Sequence, residues 1–186
     1  IDWRVLGPPP QRIQQLISGE IDVSLIRVEE AMSLSRSHEG KLHTLLAFAD
    51  LKQLVPLQPH GVLATTEAYE ADNAEALARL ARGMIKASRL LHDDYGTFRQ
   101  VYDSYVTVPL PNQDIELIWQ REHDTGGFAV NGEMSAEHWN AQLESYVTLN
   151  PGMTSIERDD FLASQFVSEA LAEIGRHAGS FDRTGA

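Results

Sequence analysis

The chain has 186 residues, 42% hydrophobic and 23% charged, the profile of a soluble globular chain long enough to bury a core. Its 27 acidic residues outnumber 15 basic ones, and the formal charge of −12 argues against non-specific binding to nucleic acid or to an anionic membrane face, which both need a Lys/Arg surface. The absence of cysteine excludes disulfides, thiolate metal sites and cysteine nucleophiles, and no apolar run approaches the roughly 20 residues that span a bilayer.

Asp2–Leu6 reads as a short extended run, stopped by Gly7-Pro8-Pro9-Pro10. Proline suits a helix start, and Ile13, Leu16 and Ile17 follow at helical spacing, with Gly19 placed to end the helix. Ile21–Ile26 is apolar and β-branched and predicts a buried strand. Val28–Ser35 reads as a short helix with Glu29 and Glu30 in its first turn, where the helix dipole favours acids. Leu42–Phe48 and Val62–Thr65 are two further strand candidates. Strands alternating with short helices predict βαβ units and a small, mainly parallel sheet over residues 1–66.

From residue 67 to residue 175 the pattern is helical. Leu77, Leu80, Ala81, Met84, Ile85, Ser88 and Leu91 trace one face, and Phe98, Val101, Tyr102, Tyr105 and Val106 trace the next. Pro109 and Pro111 break the period. Ile115, Ile118 and Trp119 form a third helix ending before Gly126-Gly127, and Ser135 caps a fourth that carries Trp139, Leu143, Tyr146 and Val147. Asn150-Pro151-Gly152 is a turn. Leu162 through Ile174 gives the last helix, closed by Gly175, and residues 176–186 are expected to fray. The chain opens on Ile1-Asp2-Trp3 with no Met and no apolar signal segment, and reads as a processed or truncated product.

Motifs that carry chemistry are sparse. The seven histidines do not cluster in the sequence, no His-x-x-x-His pair has a third ligand, and no metal site or cofactor is expected. Glu122-His123-Asp124 and Glu137-His138 read as solvated helix ends. No glycine-rich phosphate loop and no Gly-x-Ser-x-Gly elbow occurs. The helical aromatics read as core packing. Arg27 follows a predicted strand and precedes a helix, the position where open α/β sheets bind ligands; the competing reading is a surface pair with Glu30 at i+3. The candidate ligand site is Ser24, Arg27 and Glu29, joined by Pro8 after the first strand and by His60 before the fourth, a residue that equally reads as an ordinary loop histidine.

The order of segments resembles a known family. Arg12-Ile13-Gln14-Gln15-Leu16-Ile17-Ser18-Gly19-Glu20-Ile21-Asp22-Val23 resembles the "helix, Leu-x-x-Gly-x-x-Asp, strand" signature of periplasmic solute-binding proteins of ABC importers, in the group that takes up sulfonates, nitrate, taurine and thiamine-precursor pyrimidines. Val62 through Tyr69 is similar to that group's next strand and helix, Ala74 to Asp94 to its long helix, and Asp160 to Gly175 to its closing helix. The resemblance spans most of the chain, from the first strand to Gly175. It implies part of a two-lobed α/β (type II) binding-protein fold, beginning inside the second lobe. It also implies a periplasmic or extracellular location and association with a membrane permease. The site would be non-catalytic, closing on a small anionic or aromatic solute, with neither nucleic acid nor membrane insertion involved.

Two departures bear on the alternatives. Pyrimidine-synthesising relatives carry a cysteine-rich motif that this chain lacks. A decarboxylase on the same fold uses a histidine that Pro59-His60 faintly resembles. The competing expectations are an enzyme on this fold, either a decarboxylase or a precursor synthase, and the ligand-sensing domain of a regulator.

Overall fold

The structure, a computed structural model, describes residues 2, 4–47, 50, 62–106, 109–150, 152 and 156–178. Among the described residues helix accounts for 64% and no strand occurs. The expected α/β architecture with a parallel sheet is therefore corrected to a helical one. The described residues of the segments expected as strands are non-helical and form no ladder with one another, and Val23, Leu25, Leu45, Leu46, Val62 and Leu63 are all exposed. A strand is stabilised by ladder partners on a neighbouring strand, and a short apolar run carries no information on whether one is present.

Helix α1, Pro9–Ser18, starts behind Pro8 with proline in its first turn, where the missing N–H costs nothing. It ends in a Schellman turn: the Gly19 N–H donates to the Leu16 carbonyl and the Glu20 N–H to that of Gln15. Gly19 adopts φ 77°, a left-handed conformation that glycine accommodates without a Cβ clash. Helix α2, Val28–Ser37, begins at Arg27, whose backbone N–H donates to the Glu30 carboxylate at 3.2 Å. That bond is one half of a capping box.

Helix α3, Glu67–Asp93, is the longest. The Thr66 hydroxyl accepts the Tyr69 N–H at its start, and Asn73 leaves helical geometry while its amide donates to the Tyr69 carbonyl, marking a kink. Helix α4, Tyr95–Tyr105, follows after the single residue Asp94, whose carboxylate accepts the Gly96 N–H and the Thr97 hydroxyl. Helix α5, Asn112–Thr125, ends at Gly126 in the left-handed region. Helix α6, Ala136–Leu149, is capped by Ser135. A single turn, α7 (Arg158–Phe161), precedes α8, Gln165–Ile174.

Two apolar clusters hold these helices. In the first, Tyr102 of α4 and Leu110, Ile115 and Ile118 around α5 pack together, with Val28 and Met32 of α2 against them. In the second, Ile85 of α3 meets Ala170 and Leu171 of α8, flanked by Val167 and Ile174. The loop after α5 seals this seam at Gly132: a Cβ there would lie 2.9 Å from the Ile85 side chain. The expected core aromatics divide. Tyr102 is buried and Trp119 half-buried, whereas Tyr105 and Tyr146 are exposed. No helix among the described residues is long and apolar enough to cross a membrane.

Candidate functional site

Four of the five residues expected to line a ligand site, Pro8, Ser24, Arg27 and Glu29, lie among the described residues. Pro8 stands exposed at the start of α1, and Arg27 stands exposed at the start of α2. The half-buried Ser24 turns its hydroxyl to the carbonyl of the next residue, at 3.5 Å. No hydrogen bond or ion pair joins Pro8, Ser24, Arg27 and Glu29 to one another. His60 lies outside the described residues. The expected Arg27–Glu30 side-chain pair takes a different form, because Glu30 is occupied by the Arg27 backbone N–H.

Glu29 lines a cavity. Its walls are α2, α4 and α5, and it holds about 280 Å³ between Phe98, Tyr102, Ile118 and the Arg121–Glu122 ion pair. Burial beside Glu29 pushes the Tyr102 hydroxyl above its ordinary pKa, with desolvation the larger cause. A larger groove of about 580 Å³ runs between α3 and α8, but Glu67, Glu70, Glu75 and Glu169 line it. That wall repels the anionic solute the sequence suggested.

The densest chemistry lies elsewhere, at the junction of three segments. His92 and Asp93 end α3, His123 lies in the last turn of α5, and His177 follows α8. His92 Nδ1 is 2.7 Å from Asp93 Oδ1. His177 Nε2 reaches the same carboxylate from the other side, at 3.0 Å from Oδ1 and 3.1 Å from Oδ2. The His92 ring stacks on His123 at 4.2 Å and meets the rings of His177 and Phe128 edge-on. Hydrogen bonds from the two histidines, that of His92 foremost, hold the Asp93 carboxyl below its ordinary range against the opposing cost of burial.

The surroundings fix this geometry. Asn131, 2% exposed, accepts the His177 N–H at 2.8 Å and donates back to the His177 carbonyl at 3.4 Å. Arg89 of α3 bonds the carbonyls of Val130 and Gly175 and the Asn131 side chain. Trp119 of α5 donates its indole N–H to the Leu91 carbonyl at the end of α3, one of the orphan acceptors of a helix C-terminus. Of the tail expected to fray, Arg176 forks onto Glu133 and His177 is held as described.

Two imidazole nitrogens and a carboxylate oxygen thus lie within 4.8 Å of one another. Such a set can share a proton, orient a polar ligand or bind a metal ion. Sequence reasoning missed it because His177 lies 84 residues from Asp93 with no common motif. The one local signal was a His-Asp pair at the predicted end of a helix. Comparison with protein-family models, curated proteins and solved structures finds nothing that matches this chain.

Proposed function

We propose that this chain is the solute-binding component of an ABC-type importer, capturing a small anionic or aromatic organic solute outside the cytoplasm and presenting it to a membrane permease. The segment order supports this reading, above all the run from Arg12 to Val23. In the structure its residues 12–18 lie in helix α1, Gly19 stops the helix, and the stretch through Asp22 to Arg27 is non-helical. The proposal concerns binding and delivery and does not depend on a parallel sheet.

The observation that carries it is the state of Arg27. Arg27 is exposed and among the described residues forms no ion pair; Glu30 is engaged through the Arg27 backbone N–H instead. Arg27 stands at the positive end of α2, where the helix dipole adds to its charge and the first-turn carboxylates of Glu29 and Glu30 oppose it. A planar guanidinium recognises a sulfonate or carboxylate with two parallel hydrogen bonds. In a chain of charge −12, such a local cation supplies selectivity that the net field does not.

Calorimetric titration of the chain with taurine, an alkanesulfonate, nitrate and an aminopyrimidine tests the reading. One of these solutes should bind saturably. Loss of a charged hydrogen-bond pair is worth roughly 1.5–3 kcal/mol, so Arg27→Ala should weaken that binding about 10- to 150-fold. Arg27→Lys should restore only part, because an ammonium is a point charge. Affinity unchanged in Arg27→Ala, or no uptake of any of the four, would count against the proposal.

A further inference from the structure

We propose that His92, Asp93 and His177 form a binding site for a divalent transition-metal cation of the zinc class, separate from any solute site at Arg27. The donors are His92 Nδ1, a carboxylate oxygen of Asp93 and His177 Nε2. This donor set is borderline-soft. Two imidazoles and one carboxylate suit Zn²⁺, Co²⁺, Ni²⁺ or Fe²⁺, whereas Mg²⁺ and Ca²⁺ take shells of oxygen.

The spacing agrees with that assignment. Ligands about 2.0–2.1 Å from a tetrahedral ion lie roughly 3.3 Å apart. Two of the nitrogen–oxygen separations are 2.7 and 3.0 Å, so admission of an ion asks for an opening of a few tenths of an ångström. A bound ion requires a lone pair on His92 Nδ1 and His177 Nε2, with the ring proton on the other nitrogen of each imidazole. Asp93 is 53% exposed at its side chain and His177 20%, so the ion enters from solvent and water completes its shell.

The positioning groups separate this cluster from a chance meeting of surface histidines. His177 is 84 residues from Asp93 in the chain, and its backbone is gripped on both sides by a buried asparagine. That asparagine is in turn bonded to Arg89. The His92 ring is oriented by stacking on His123, with an interplanar angle of 24°. Outer groups of this kind orient ligands, and their loss lowers metal affinity about 10- to 100-fold.

The test is a Co²⁺ titration of chelator-treated protein followed by visible absorption, with Zn²⁺ calorimetry and thermal melts alongside. The wild type should take up one equivalent of Co²⁺ with d–d bands of a low-coordinate nitrogen–oxygen site. Zn²⁺ should displace the Co²⁺ and raise the melting temperature. His177→Ala and Asp93→Asn should each abolish the bands, and His43→Ala, at an exposed histidine elsewhere, should keep them. Asn131→Ala should keep all three ligands yet bind about 10- to 100-fold more weakly. Asp93→Asn keeps the size of a half-exposed side chain, so it remains readable if His177→Ala fails to fold. Absence of the bands in the wild type, or their survival in a folded ligand variant, would overturn the assignment.

Discussion

Arg36 and Asp114 lie 78 residues apart, and the Arg36 guanidinium forks onto the Asp114 carboxylate, with Nε 2.8 Å from Oδ2 and Nη2 2.6 Å from Oδ1. Asp114 is 3% exposed and sits in the first turn of α5, where the helix dipole favours a negative charge. The pair ties α2 to α5 beside the cluster of Tyr102, Ile115 and Ile118. Arg36→Ala leaves a buried carboxylate without its cation. The arginine side chain is 48% exposed and water can reach the gap, so the expected loss is about 1.5–3 kcal/mol, below the figure for a fully buried pair. Urea melts should show it, and Arg36→Lys should recover only part because the fork is gone.

Helix α3 offers a contrasting pair of substitutions, one inside the second cluster and one outside it. Ile85 is 2% exposed, with Ala170 and Leu171 against it, so Ile85→Ala should cost about 2–5 kcal/mol in denaturant melts. Leu80 is 48% exposed, and Leu80→Ala should cost less than about 1 kcal/mol. Equal losses at the two positions would mean that α3 packs on a different face.

That contrast also shows how far the sequence could be read. The apolar period placed α3 and named Ala81, Ile85 and Ser88 on its buried face, but it also counted the exposed Leu80 and Met84 and left out Ala78 and His92. The seam runs along Ala78, Ala81, Ile85, Ser88 and His92, with Leu80 and Met84 outside it. A period that counts only apolar residues gives no weight to His92, Asp114 or Asn131. Each is buried because it meets a partner: Asp93 beside His92, and distant Arg36 for Asp114 and Arg89 for Asn131. The end of α1 was legible, since proline at its start and glycine at its close act locally. The strands were not: whether Ile21–Ile26 pairs depends on another segment, and among the described residues no ladder forms. For the same reason the histidine cluster was invisible, and the parallel strands expected to bring Pro8 beside Ser24 and Arg27 do not form among the described residues.

Acid should weaken the end of α5 in a defined direction. The Asp124 carboxyl lies below its ordinary value, chiefly through its hydrogen bond with His123 and next through that with Gln120. A carboxyl depressed in the folded state contributes stability above its unfolded pKa, near 3.8, and loses it as pH falls through the lower folded value. The stability difference between wild type and Asp124→Ala should hold down to about pH 4 and shrink below it. Paired urea titrations from neutral pH to pH 3 would check this, and a difference that grows on acidification would contradict it.

Arg89 anchors the C-terminal segment through three bonds: Nε to the Val130 carbonyl at 2.8 Å, and Nη2 to the Gly175 carbonyl at 2.7 Å and to Asn131 Oδ1 at 3.1 Å. Val130 is 3% exposed and Asn131 2%, so removing the guanidinium leaves buried acceptors short of a donor. Bonds to a charged donor contribute about 1.5–3 kcal/mol each and are not additive when they share one side chain. Arg89→Ala should therefore cost about 2–4 kcal/mol in total, and Arg89→Lys about half of that, because one ammonium cannot reach three divergent acceptors. The loss should be local first. Native-state hydrogen exchange should show the His177 amide, donated to Asn131, losing protection in Arg89→Ala while the amides of Ile115 and Ile118 in α5 keep theirs. If those helix amides lost protection in step with His177, Arg89 would be supporting the whole helical assembly rather than holding one segment against α3.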